Sequence, residues 1–171
     1  DPKILAVPII ENNEIVFDLK DQSEIAVGPS SEIPNNTDYT KMRKSVYDKL
    51  VAAQKILPKG MKLCLYEGYR SIELQEKLFS GYYEKMKQAH PSYNHDQLFT
   101  ETLKLVSPVI NLDGTKNIPP HSTGAAVDVY LIDTQGKILD MGILAKDWMQ
   151  DLDGSLSQTN SKIVSLEAQK N

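Results

Sequence analysis

The chain is poor in the residues that most often announce a chemistry. Among 171 residues it has one cysteine, one tryptophan and three histidines. A lone Cys64 excludes an internal disulfide and a thiolate metal cluster. Its place in the apolar run Met61-Lys-Leu-Cys-Leu-Tyr66 predicts a buried structural thiol rather than a nucleophile. No stretch reaches the ~18 consecutive apolar residues of a membrane-spanning helix, and no signal-peptide pattern opens the chain. There is no block of basic residues and the net charge is −4, which argues against nucleic acid or an anionic membrane as partner. Internal repeats and low-complexity segments are lacking. So are the GxGxxG, P-loop, HExxH, GxSxG and EF-hand patterns, and with them the sites those patterns build.

What is present is ordinary in bulk: 40% hydrophobic and 25% charged residues in a length that suits one domain with its own core. Residues 1–40 read as an extended N-terminal segment within that domain, with strand candidates at Ile4–Ile10 and Glu14–Phe17. Pro8 pushes the first towards a sheet edge or a free arm. Met42, Val46, Leu50, Ala53 and Leu57 recur at helical spacing and predict a first helix, ended by Pro58-Lys-Gly60. Residues 61–66 read as a strand. Ser71 is placed to cap a second helix with Leu74, Leu78, Tyr82 and Met86 on one face. Asn94 and Gln97 form a capping arrangement for a third, over about 95–106, with Leu98, Thr102, Leu103 and Val106 inward. Ala125–Ile132 is the strongest strand signal, Asp133-Thr-Gln-Gly136 a turn, and Lys137–Leu139 the start of a paired strand. Residues 161–171 read as the first turns of a helix. The mixed order predicts an α+β fold, helices packed on a small, mostly antiparallel sheet.

The densest signal is His121-Ser-Thr-Gly-Ala-Ala-Val-Asp128. In the strand that follows, Val127, Val129 and Leu131 share one face, so Asp128 points the other way. Gly124 and Ala126 let the backbone carrying His121 approach that face. Imidazole nitrogen and carboxylate oxygen are zinc ligands, and a catalytic site needs three such ligands and an open position. Arg70, at a strand-to-helix turn, could steady a substrate carbonyl oxygen as negative charge develops on it, or could be a surface salt bridge. One of His90 and His95 could be a third ligand, but their polar surroundings suit exposed histidines better. Trp148 reads as a core residue.

These residues resemble a known family. His121-x-x-Gly124-x-Ala126-x-Asp128 is similar to the zinc motif of the D-alanyl-D-alanine peptidases. Within that family, the stretches Pro119–Asp133, Arg43-Lys-Ser-Val, Leu57–Gly60 and Tyr66-Glu-Gly-Tyr-Arg70 look most like the VanX-type dipeptidase branch. The resemblance covers about residues 35–145, with its motifs in the family's order. It implies zinc-dependent hydrolysis of the D-Ala-D-Ala dipeptide. His121 and Asp128 would bind the metal, and Arg70 would stabilise the transition state. Asp147, or Asp151 in its place, would meet the substrate ammonium group. The family's Glu-x-x-His, which supplies general base and third ligand, is missing: Glu167 is followed three residues later by Lys170. The expectation is therefore a chain about 30–40 residues short of the family's length, completed by a C-terminal polypeptide fragment carrying that pair. The other readings are a D,D-carboxypeptidase acting on peptidoglycan stems, and a catalytically dead domain that binds cell-wall peptide. The resemblance is to bacterial enzymes. A first residue Asp1 in place of methionine favours a periplasmic or secreted protein over a cytoplasmic one.

Overall fold

The computed structural model describes residues 7–29, 35–143, 155–156 and 161–170. The strand β4 (Lys62–Glu67) organises the molecule. The short strand β2 (Ala26–Val27) lies parallel to it on one side, and β5 (Asp128–Ile132) lies antiparallel on the other. A second, two-stranded antiparallel sheet pairs β1 (Val16–Asp18) with β3 (Lys41–Arg43). Among the described residues three α-helices accompany them: α1 (Lys44–Ile56), α2 (Ile72–Ala89) and α3 (His95–Leu103). The fold is α+β. Its strand pairing is mostly antiparallel, as expected; the exception is the two-residue β2, which joins β4 in parallel across a long sequence separation that leaves no local trace.

Alternation along the strands sorts the two faces of the main sheet. Leu63 and Leu65 of β4 enter the core with Leu19, Ile25, Met42 and Tyr47, and Val127, Val129 and Leu131 pack against it. The opposite face carries Tyr66 and Tyr130, whose ring centroids are 5.6 Å apart. Cys64 is buried. Val46, Leu50, Ala53 and Leu57 form the stripe that seats α1 on this core. Met42 does not belong to that helix. Backbone pairing of Met42 with Phe17 draws it into β3, and Arg43 stays extended (φ −63°, ψ 143°) before the helix begins.

The helix starts follow their caps. The Ser71 hydroxyl accepts from the Leu74 N–H, and Asn94 and Gln97 bond reciprocally to each other's backbone N–H. The third helix stops at Leu103, where a tightened turn takes over: the Leu105 and Val106 N–H groups both donate to the Thr102 carbonyl. Leu103 is consequently 49% exposed, and Phe99 takes the inward place, its ring 5.1 Å from that of Phe79. Residues 7–10 form no strand and run as an arm, while residues 161–170 make turns instead of a helix. Among the described residues no helix is long and apolar enough to cross a membrane.

Candidate active site

Residues 120–124 leave the sheet's edge as a 3-10 turn, Pro120–Thr123, so the regular strand begins only at Asp128 and not at Ala125. Gly124 closes the turn in the left-handed conformation (φ 73°). An added Cβ there would stand 3.4 Å from Arg43 Cγ. Arg43 anchors the turn from behind: its backbone N–H donates to the Gly124 carbonyl at 2.8 Å and its Nε to the Thr123 carbonyl at 2.9 Å. Its two terminal nitrogens fork onto the Glu11 carboxylate, each at 2.7 Å, and so tie in the N-terminal arm.

His121 and Asp128 meet. Their Nε2 and Oδ2 atoms are 3.3 Å apart. The other ring nitrogen, Nδ1, is 2.9 Å from the Gly68 carbonyl oxygen. A carbonyl can only accept, so Nδ1 carries the proton, and Nε2 of the neutral ring presents a lone pair to the carboxylate. Two lone pairs facing each other are stable only with a proton or a cation between them. The separation exceeds the ~2.7–2.9 Å of a charge-assisted hydrogen bond. It equals the spacing of two ligand atoms held at a tetrahedral angle by bonds of about 2.0–2.1 Å, which is about 3.3–3.4 Å. A backbone carbonyl fixing the far nitrogen of a ligating histidine is also the usual outer support of a zinc site. The pair therefore fits zinc as two of its ligands. Among the described residues no group of three His, Cys, Asp or Glu side chains forms a metal site.

The pair opens on a cavity of about 410 Å³, walled by Arg70 and by Tyr66, Leu78, Val106 and Pro119. Arg70 is no surface salt bridge; it is 4% exposed. Its backbone N–H donates to the His121 carbonyl at 3.3 Å. Its Nε donates to Glu67 Oε1 at 3.3 Å and its Nη1 to Gln75 Oε1 at 2.9 Å. Gln75 in turn donates to the Ser107 carbonyl at 2.7 Å, and Asn36 donates to Glu67 Oε1 at 2.8 Å. Glu67, Gln75 and Asn36 were invisible as site residues to pattern reading. The one signal was a charged Glu67 closing an otherwise apolar strand.

Burial pushes the Asp128 carboxyl up to about 6 from an ordinary 3.8, with Arg70 pulling it down and Glu67 pushing it up. An acid raised in the folded state contributes stability that is full below its unfolded value and is lost as the pH climbs through about 6. Metal-free protein should thus lose melting temperature relative to Asp128→Asn between pH 4.5 and pH 7.5, in thermal scans with chelator present. A gap between the two proteins that is the same at both pH values would contradict the assignment.

His90 and His95 do not join the pair. His90 stacks on Tyr93 with centroids 4.5 Å apart, and His95 Nδ1 lies 2.8 Å from the Tyr83 hydroxyl; neither lines the cavity. The predicted substrate contact Asp147, its substitute Asp151, and Trp148 lie outside the described residues.

No protein-family model and no curated protein matches the chain. Among solved structures it is similar to a variant of the vancomycin-resistance D,D-pentapeptidase VanY from a VanB-type resistance cassette, in complex with Zn(II). Identity is 19%, the match covers 85% of this chain and 84% of that one, and the TM-score is 0.35.

Proposed function

We propose that the chain carries the metal-binding and substrate-facing part of a zinc-dependent D,D-peptidase that cleaves the D-Ala-D-Ala dipeptide. The observation that supports this most is the facing pair: His121 Nε2, its tautomer set by Gly68, opposite Asp128 Oδ2 at 3.3 Å. These two atoms would hold the metal. Zinc, when bound, supplies a Lewis acid and a water acidified to a pKa near ~7. Arg70, fixed at the cavity wall, would bind the scissile carbonyl oxygen and hold it as charge develops there. Asp147 would receive the substrate ammonium group. Leu78, Val106 and Pro119 would exclude water around the peptide bond. The third ligand and the base that takes the water's proton would come from a separate segment completing the site, in a protein working on cell-wall peptides outside the cytoplasm.

A second reading, a D,D-carboxypeptidase on stem peptides, draws on a larger cavity of about 590 Å³. It lies between the N-terminal arm and the 120–125 turn and shares Pro120 with the first. It would give room for substrate beyond a dipeptide.

The test is D-Ala release from D-Ala-D-Ala and from a stem pentapeptide by the protein together with the segment that completes its site, with zinc content measured on the same sample by elemental analysis. Release from the dipeptide alone, with near one zinc per chain, is the expected result. Release from the pentapeptide would move the assignment to the carboxypeptidase. Neither zinc nor release would leave a peptide-binding domain and overturn the enzymatic reading.

A further inference from the structure

We infer that Glu67 is a positioning residue of this site, acting through Arg70: its buried carboxylate aims the guanidinium at the cavity. Glu67 is 0% exposed, a place where a carboxylate is found almost only when paired. It ends β4 just after a register shift between Leu65 and Glu67, and its cross-strand partner is Asp128. Irregularities of this kind commonly re-aim a side chain beside an active site. Two carboxylates directly opposite each other repel, so a structure that needed only a stable strand end would avoid this pairing. The cation paired with Glu67 there is Arg70, Nε to Oε1 at 3.3 Å.

The contacts divide the work. Glu67 holds Nε and Gln75 holds Nη1 of the guanidinium, from β4 and α2 respectively. The Asn36 amide holds Glu67 itself and also donates to the Tyr69 carbonyl at 3.2 Å, which fixes the carboxylate from a third segment. Gln75 reaches on to the Ser107 carbonyl, in the loop that walls the cavity. The His121 ring is held by the Gly68 carbonyl and the His121 backbone by the Arg70 N–H, contacts that do not use the Glu67 side chain. A change at Glu67 therefore loosens the aim of Arg70 and leaves the metal pair in place. For catalysis this rests on the function proposed above; for the aim of the guanidinium it does not.

The experiment compares wild type, Glu67→Gln and Glu67→Leu. Two-dimensional NMR follows the Arg70 Nε–Hε signal, assigned with Arg70→Lys, and steady-state hydrolysis of D-Ala-D-Ala follows the zinc-loaded proteins, each together with the segment that completes the site. In wild type the signal should be protected from exchange. It should shift in Glu67→Gln, which keeps an acceptor and loses the charge, and vanish in Glu67→Leu. The kcat should fall about 10²-fold in Glu67→Leu, the scale of a misplaced catalytic group, with KM and zinc content held, and recover most of that in Glu67→Gln. An Arg70 signal identical in wild type and Glu67→Gln would overturn the inference, and that comparison decides even where Glu67→Leu fails to fold. Signals that move as expected in proteins that release no D-Ala, wild type included, would uphold the positioning role and overturn the proposed activity.

Discussion

Arg70→Ala should cost the protein about 3–5 kcal/mol, because it strips the cation from a fully buried carboxylate. For a domain of this length that is a fall in melting temperature of about 10 °C. The Gln75 carbonyl oxygen loses a donor in the same step, so the loss falls on α2 as well as on β4. Under the proposed function D-Ala release should drop by about 10²–10³-fold, the usual cost of removing one preorganised donor to a developing oxyanion. Zinc uptake should be preserved, since His121, Asp128 and Gly68 keep their contacts. Arg70→Lys should recover part of the stability and little of the turnover, because an ammonium keeps the charge and loses the planar fork that Glu67 and Gln75 grip. Calorimetry, zinc analysis and a single-substrate assay on the three proteins check this. A well-folded Arg70→Ala that had lost its zinc would refute the assigned role.

The second large effect is expected at Gly68. A Cβ there would lie 2.5 Å from the Tyr39 carbonyl oxygen and 2.6 Å from that of Lys41, and neither backbone atom can swing aside as a side chain would. Gly68→Ala must push β4 and the 39–41 backbone apart, at a cost of about 1–3 kcal/mol or more. The same backbone shift displaces the Gly68 carbonyl from His121 Nδ1, now 2.9 Å away. Loss of such outer support typically weakens a metal site by about 10–100-fold. Gly68→Ala should therefore melt lower and bind zinc more weakly, while Gly81→Ala, on an open face of α2, should do neither. Equal zinc affinity in Gly68→Ala and wild type would show that His121 does not depend on this carbonyl.

Local signals carried much of the fold. Period-two alternation placed Val127, Val129 and Leu131 inward with Asp128 on the other face, and hydroxyl and amide caps marked the starts of α2 and α3. Long-range pairing was illegible. β2 is two residues long and exists because Ala26 and Val27 find Cys64 and Leu65. Met42 continues the helical stripe by spacing, yet it pairs with Phe17. At the site, the motif brought His121 and Asp128 to attention together, and the structure puts them in contact. Glu67, Gln75 and Asn36 were missed because their importance lies in one another: a buried Gln and Asn have no signature until an Arg and a Glu from other segments are seen to need them.

The contacts that make this site join distant parts of the chain. His121 reaches back 53 residues to Gly68, and Arg43 reaches forward 80 to Thr123. Each draws together segments that far apart, and closing loops of that length costs chain entropy before any contact is gained. The geometry of the His121–Asp128 pair therefore rests on contacts of high sequence separation, whereas α1 is local and the β1–β3 pair closes a shorter loop. The site is thus a product of tertiary closure, and a change that weakens the pairing of β5 with β4 would reach the His121–Asp128 pair even from residues that touch neither.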